Sequence, residues 1–235
     1  MKSLSKVRVS VSDYINHNSA DRFALKNTLD NLALTLPETA IFGGMLRDFA
    51  LGHVRDFSSD IDLVSFASRS EILQAISEFS PVENKFGGFR FIAAKRIFDI
   101  WAFDDTWAFR EGIIKGNELR DLFKTTFFNL DAAVFHLSTR EFICSEDCED
   151  GIERRLLELN LEENPSPCGM SRRAIRMSIE KDLEIGPKLA SFMLTNAKRS
   201  ELDRLSNLFM DGLEVHVKSG HSENFTFQPQ QSLIS

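Results

Sequence analysis

The chain is short of the residues that mark several protein classes. Of its 235 residues, three are cysteine, six proline, one tyrosine and two tryptophan. An odd, sparse cysteine set (Cys144, Cys148, Cys168) does not make a disulfide framework. Cys144-X-X-X-Cys148 also lacks the second ligand pair that a structural zinc site needs. No apolar run approaches the roughly 18 residues that would span a bilayer. Met1-Lys2-Ser3-Leu4-Ser5-Lys6-Val7 contains no apolar signal-peptide core. These absences lead us to expect a cytoplasmic protein with no membrane partner. Basic residues are outnumbered, 28 Lys+Arg against 35 Asp+Glu for a net charge of −7. That balance argues against a general nucleic-acid coat but leaves room for a local basic patch.

What is present is an ordinary globular composition, 43% hydrophobic and 27% charged, which excludes a mostly disordered chain. Twenty-one phenylalanines put the aromatic content into packing, since Phe has no polar handle. The length suits one large domain or two small ones.

Leu25, Leu29 and Leu32 recur at helical spacing between Ala20 and Leu34, and Pro37 stops the run. Thr39 to Phe42 reads as a short buried strand entering Gly43-Gly44, and Met45 to Leu51 as a short helix. Asp60 to Phe66 alternates as a second strand. Ser68 and Glu71 form a capping box before a helix carrying Ile72, Ile76 and Phe79. Phe89 to Ala94 and Ile97 to Phe103 predict two strands joined near Lys95-Arg96. The order implies a mixed sheet with helices on one face over about the first 110 residues. Beyond Asn117 the pattern reads as mostly helical, best at Ile152–Leu159, Ser171–Leu183 and Ser200–Leu213. Glu162 to Gly169 is the predicted linker. The expected division is residues 1–145 (core about 20–140), a helical part over 146–217, and a polar, frayed tail over 218–235.

The chemistry concentrates in Gly43-Gly44-Met45-Leu46-Arg47-Asp48 and Ser59-Asp60-Ile61-Asp62-Leu63. Carboxylates at i and i+2 of a strand point to the same side. Held side by side they repel unless a cation lies between them, and hard divalent ions such as Mg²⁺ favour such oxygen pairs. Asp99, in the apolar strand Ile97-Phe98-Asp99-Ile100-Trp101, needs a partner to offset its burial. Asp60, Asp62 and Asp99 together would make a metal site of the kind used for in-line phosphoryl transfer. Gly43-Gly44, at a strand-to-helix turn, would let the backbone approach a phosphate. Each piece alone has a plainer reading: a solvated acid pair, or a simple turn. Their conjunction is far more specific.

That conjunction resembles the head domain of the class II tRNA nucleotidyltransferase (CCA-adding enzyme) and bacterial poly(A) polymerase family. There a Gly-Gly-X-X-Arg-Asp segment precedes Asp-X-Asp-Leu-Val, matched by Gly43, Gly44, Arg47, Asp48 and Asp60 to Val64. Phe86-Gly87-Gly88-Phe89 and Phe98-Asp99-Ile100 fall where that family has a glycine turn and a later acidic strand. Lys124 to Ala133 looks like a drifted form of a middle motif, with Asp131 in place of its Asn. Arg173-Ala174-Ile175-Arg176 resembles the end of the neck helix. The resemblance covers about residues 38–185. It implies an α/β (α+β) nucleotidyltransferase head, polymerase beta-like with a mixed sheet, followed by a helical neck and body. It further implies a nucleoside triphosphate as substrate and Mg²⁺ or Mn²⁺ on Asp60 and Asp62. Asp99 would bind the metal nearer the acceptor and help deprotonate its hydroxyl. Gly43 and Gly44, supported by Arg47 and Asp48, would hold the triphosphate, with Asp131, Arg173 and Arg176 also toward the nucleotide. The acceptor would be an RNA 3′ end, tRNA-like. The neck's base-reading Glu-Asp-X-X-Arg segment falls at Ser166 to Met170, so that pair is absent, and only about 50 residues follow the neck.

Other readings stay open. Arg47 and Asp48 could instead form a buried ion pair tying the short helix to the sheet. Arg172, Arg173 and Arg176 could be a solvated helix face bridged to Glu180, or could grip phosphates. His136 reads as a core histidine, and the acidic run Glu146 to Asp150 as a solvated loop. A transferase acting on a protein or small molecule and a non-catalytic nucleotide-binding module are the alternatives to RNA transfer.

Overall fold

The computed structural model describes residues 2–17, 19–55, 57–221 and 223–228. They form two compact units. One comprises the described residues of 1–126 and 131–149; the other comprises those of 127–130 and 150–235.

The first unit begins with helices α1 (Lys2–Asn16) and α2 (Ala20–Thr35). Strand β1 (Ala40–Phe42) leads through Gly43 into α3 (Gly44–Ala50). Next come β2 (Ile61–Ser65), α4 (Arg69–Ala75), β3 (Val82–Glu83), β4 (Phe89–Ala93) and β5 (Arg96–Ala102). A short α5 (Trp107–Arg110) and a 3-10 segment at Leu119–Thr125 precede β6 (Ala133–His136) and β7 (Phe142–Cys144). The sheet runs β3-β4-β5-β2-β1-β6-β7. Strands β2 and β5 are parallel, while the other neighbours are antiparallel.

Local chemistry accounts for the boundaries. Ser68 accepts from the Glu71 amide and Glu71 reaches back to the Ser68 amide, so α4 starts in a reciprocal capping box. The β4–β5 turn places both Ala94 (φ 50°) and Lys95 (φ 58°) at positive φ, as a twist-matched two-residue hairpin requires. One sheet face is covered by apolar side chains of α1, α2 and α3, among them Val11, Ile15, Leu25, Leu29, Met45 and Leu46, all buried. On β4 and β5, Phe91 stacks on Phe98 with ring centroids 5.0 Å apart, and Phe79 stacks on Phe91 at 5.3 Å. Another buried cluster gathers Ala40, Val64 and Val134 under Leu119, Leu122 and Phe103.

Where the sequence pattern predicts helix beyond Asn117, β6 and β7 instead extend the sheet to residue 144. Their three- and four-residue spans are too short for apolar periodicity to separate strand from helix. The acidic run Glu146 to Asp150 is not a loop: it opens α6 (Glu146–Arg154), where carboxylates suit the positive end of the helix dipole.

In the second unit, helix does not continue through Leu159. Arg155 takes φ 56° and breaks it, and β8 (Leu156–Leu157) pairs in parallel with β9 (Glu184–Ile185). Helix α7 (Pro167–Lys181) starts inside the expected linker, with proline at its first position. Helix α8 (Pro187–Asn196) has its amides at Lys188 and Leu189 bound by the Glu158 carboxylate at 3.2 and 2.7 Å. Helix α9 (Arg204–Lys218) is capped by Asp203, so it begins and ends later than expected. Ala174, Ile175, Leu189, Met193, Phe209 and Leu213 form this unit's core. Of the expected tail, residues 222 and 229–235 lie outside the described residues.

Candidate active site

Register brings the acids together. Asp62 on β2 pairs directly with Asp99 on β5, and Asp99 with Arg90 on β4. Directly paired residues share a sheet face, so Arg90, Asp99 and Asp62 form a row across three strands. Asp60, two residues before Asp62, joins that side. The row abuts the apolar cluster around Val64 and Ala40, which anchors the same face.

Arg90 is the hub of the row. Its Nε donates to Asp99 Oδ1 at 3.0 Å, and its Nη2 donates to both Asp99 Oδ2 at 2.5 Å and Asp60 Oδ2 at 2.7 Å. Asn84 Nδ2 donates to Asp99 Oδ1 at 3.3 Å, while Asn84 Oδ1 closes the 84–88 turn by accepting from the Phe86 and Gly88 amides. Asp99 is 5% exposed in its side chain, against 39% for Asp60 and 50% for Arg90. Arg90's pKa is raised, chiefly by its hydrogen bond to Asp99 and further by the charges of Asp99, Asp60 and Asp62. Sequence reasoning missed Arg90. Alternation in Phe89-Arg90-Phe91 puts it opposite the buried rings, but only the register sets it against Asp99.

Gly43 closes the other side. It takes φ 72° and ψ −134°, a conformation a side chain disfavours. A Cβ there would lie 3.7 Å from Asp62 Oδ2, so the turn runs against the acid row with nothing between. A Cβ on Gly44 would lie 3.3 Å from Arg47 Nη2. Arg47 is therefore the floor of the turn. It is buried, donating from Nε to Asp48 at 3.0 Å and from Nη1 to Asp131 at 2.5 Å. Burial opposes its charge, but Asp131 and Asp48 outweigh burial and raise its pKa. Arg47, Asp48 and Asp131 thus form one buried ion network, the plainer of the two readings of Arg47 and Asp48, and Asp131 is part of it.

Arg173 and Arg176 belong to the second unit. With Arg172, Glu201 and Asp203 they line a groove of about 630 Å³ between α7 and the start of α9. The Arg173 guanidinium lies 5.8 Å from the Phe128 ring centroid, and Arg172 pairs with Glu201 at 3.6 Å rather than with Glu180. His136 is partly rather than fully buried, at the end of β6, where it bonds Glu38 at 3.2 Å.

The hard oxygen donors of Asp60 and Asp62 suit a divalent ion. Among the described residues, however, no group of three His, Cys, Asp or Glu side chains is disposed to hold a metal; Asp99 faces Arg90 instead. No helix among them is long and apolar enough to cross a membrane.

No protein-family model matches the chain, and no curated protein matches it. Solved structures do. The Thermotoga maritima CCA-adding enzyme complexed with tRNA-CCA superposes with TM-score 0.61 at 14% identity, covering 98% of this chain and 52% of that one. The Bacillus stearothermophilus CCA-adding enzyme in complex with CTP gives 0.55 at 15% identity, covering 83% and 48%. A CCA-adding enzyme in complex with ATP gives 0.58 at 15% identity, covering 97% and 52%. The chain spans about half the length of these proteins. The mixed seven-stranded sheet and the helical segment after it in sequence are thus the fold of the CCA-adding enzymes.

Proposed function

We propose that this chain is a divergent member of the CCA-adding enzyme family. On this reading it is a metal-dependent nucleotidyltransferase, which moves a nucleoside monophosphate from an NTP to an acceptor hydroxyl and releases pyrophosphate. The observation that carries the reading is the contact of the Gly43 turn with Asp62. It pairs an acid row with a turn that carries no side chain, the two parts needed to hold a metal-bound triphosphate. The fold likeness to proteins solved with CTP, ATP and tRNA supports an NTP as substrate and a tRNA-like RNA 3′ end as acceptor.

Asp60 and Asp62 would hold Mg²⁺ or Mn²⁺, which when bound neutralises phosphate charge. Gly43 and Gly44 present backbone to the phosphates, and Arg47, held by Asp48 and Asp131, fixes the turn from below. Among the acids, Asp99 orients Arg90. Arg173 and Arg176 would serve the nucleotide or the RNA backbone as guanidinium donors.

The test is incubation of the full chain with each radiolabelled NTP, Mg²⁺ or Mn²⁺ and total cellular RNA or lysate protein. Labelled RNA that disappears in Asp60→Ala/Asp62→Ala, with the fold intact by circular dichroism, supports the proposal. Labelling retained in that variant places the site elsewhere, and label on protein alone replaces the RNA acceptor.

A further inference from the structure

The acid row already contains a cation. Arg90 bridges Asp60 and Asp99 through one nitrogen, Nη2, and completes a two-point fork to Asp99 through Nε. The two contacts differ in kind. Asp99 is almost fully buried and steadied by Asn84, whereas Asp60 is more than a third exposed. The fork to Asp99 is the fixed attachment, since paired N–H donors against a buried carboxylate are both directional and shielded. The single bond to exposed Asp60 is the exchangeable one. Arg90 Nη1 makes no hydrogen bond among the described residues.

From this asymmetry we propose that Arg90 is the resident counter-cation of the site and, after release from Asp60, a phosphate ligand. Asp99 is its positioning residue rather than a metal ligand. The inference rests on the nucleotidyltransferase reading and deepens it. In the metal-free protein Arg90 neutralises Asp60. When Asp60 exchanges Arg90 for a divalent cation, the Asp99 fork keeps the guanidinium in place. Its Nη1 and the freed Nη2 hydrogen remain beside Asp60 and Asp62, available to a triphosphate oxygen. A guanidinium repels a metal ion entering alone and attracts one that arrives with a polyphosphate, so the site favours the metal–nucleotide complex over the free metal.

Two titrations of the full chain test this, one with Mn²⁺ alone and one with Mg·ATP, on wild type, Arg90→Gln and Arg90→Gln/Asp99→Asn. The expected result has opposite signs. Arg90→Gln binds Mn²⁺ about tenfold more tightly, because a like charge has left the site, and binds Mg·ATP about tenfold more weakly, because a phosphate donor has left. The double variant keeps the tightened Mn²⁺ binding. A fall in both affinities means that Arg90 merely holds the structure together, and no change in either means an idle surface pair; both outcomes overturn the inference. A double variant whose Mn²⁺ binding collapses makes Asp99 a metal ligand and also overturns it. If wild type and variants all bind neither probe, the nucleotidyltransferase reading fails as well.

Discussion

Replacing Arg47 with methionine should be among the most costly single changes in the first unit. The substitution keeps the apolar stem as far as about the Nε position but removes the guanidinium shared by Asp48 and Asp131. The three side chains are only 7%, 11% and 10% exposed. Opposite charges about 4 Å apart attract by about 4 kcal/mol at an effective dielectric constant of about 20. Most of that gain offsets the cost of dehydrating the three groups when the network is whole. With the cation gone, two carboxylates stay in a poorly hydrated place and repel each other. Breaking a buried pair in this way costs about 3–5 kcal/mol, a large part of the roughly 5–15 kcal/mol that holds a domain together. Urea unfolding followed by tryptophan fluorescence reads the relevant unit, because both tryptophans, Trp101 and Trp107, lie in it. Removing the charges together, in Arg47→Met/Asp48→Asn/Asp131→Asn, should recover most of the loss. A single variant that loses less than about 1 kcal/mol, or a triple variant no more stable than the single one, would refute the assignment of this network as a charge-balanced floor for the glycine turn.

Three other outcomes follow from the same geometry. Gly43→Ala forces a side chain onto φ 72°, ψ −134° beside Asp62; it should cost about 1–3 kcal/mol in urea and weaken Mg·ATP binding in calorimetry more than its stability loss explains. Asp121 has a lowered pKa, first through Lys124 and then through the Asn117 and Glu118 amides, despite some opposing burial. Its contribution is therefore present above the ordinary value of 3.8 and lost as pH falls through its lower folded value, so Asp121→Asn should flatten the acid limb of a stability–pH profile. Pro167 and Met170 stand where the resembled family reads the base edge, and neither side chain offers such hydrogen bonds; competition among ATP, CTP, GTP and UTP should show preferences below about a thousandfold, or about 4 kcal/mol, and a larger preference would reveal a dedicated reading pair.

The acid strand, the glycine turn and the hairpin around Lys95 were legible because each has a short-range signature: alternation, a Gly pair, two apolar runs about a tight turn. Arg90 was not, because its role depends on which residue lies across the strand, and that register is set by the whole sheet. Asp131 stood out by its motif position, but its bond to buried Arg47 is a long-range fact that no local pattern shows. Strands β6 and β7 were hidden by brevity. The start of α6 was misread although its acids carried the signal, since a run of like charge suits a helix N-terminus as well as a solvated loop.

The Arg47–Asp131 bond spans 84 residues of sequence, and this has a consequence in time. A chain that emerges at about 5–20 residues per second exposes the Gly43 turn and the β2 acids for roughly 4–17 s before Asp131 exists to meet Arg47. During that interval Arg47 cannot enter the interior in balance. The turn above it therefore stays hydrated and unfixed, and strand β1 lacks its β6 neighbour. Pairings of such long sequence separation are slow to close in refolding as well. The candidate site is in this sense completed late, by a residue 84 positions downstream of its floor, so a nascent or truncated chain ending before Asp131 carries the acids of the site without the support that shapes it.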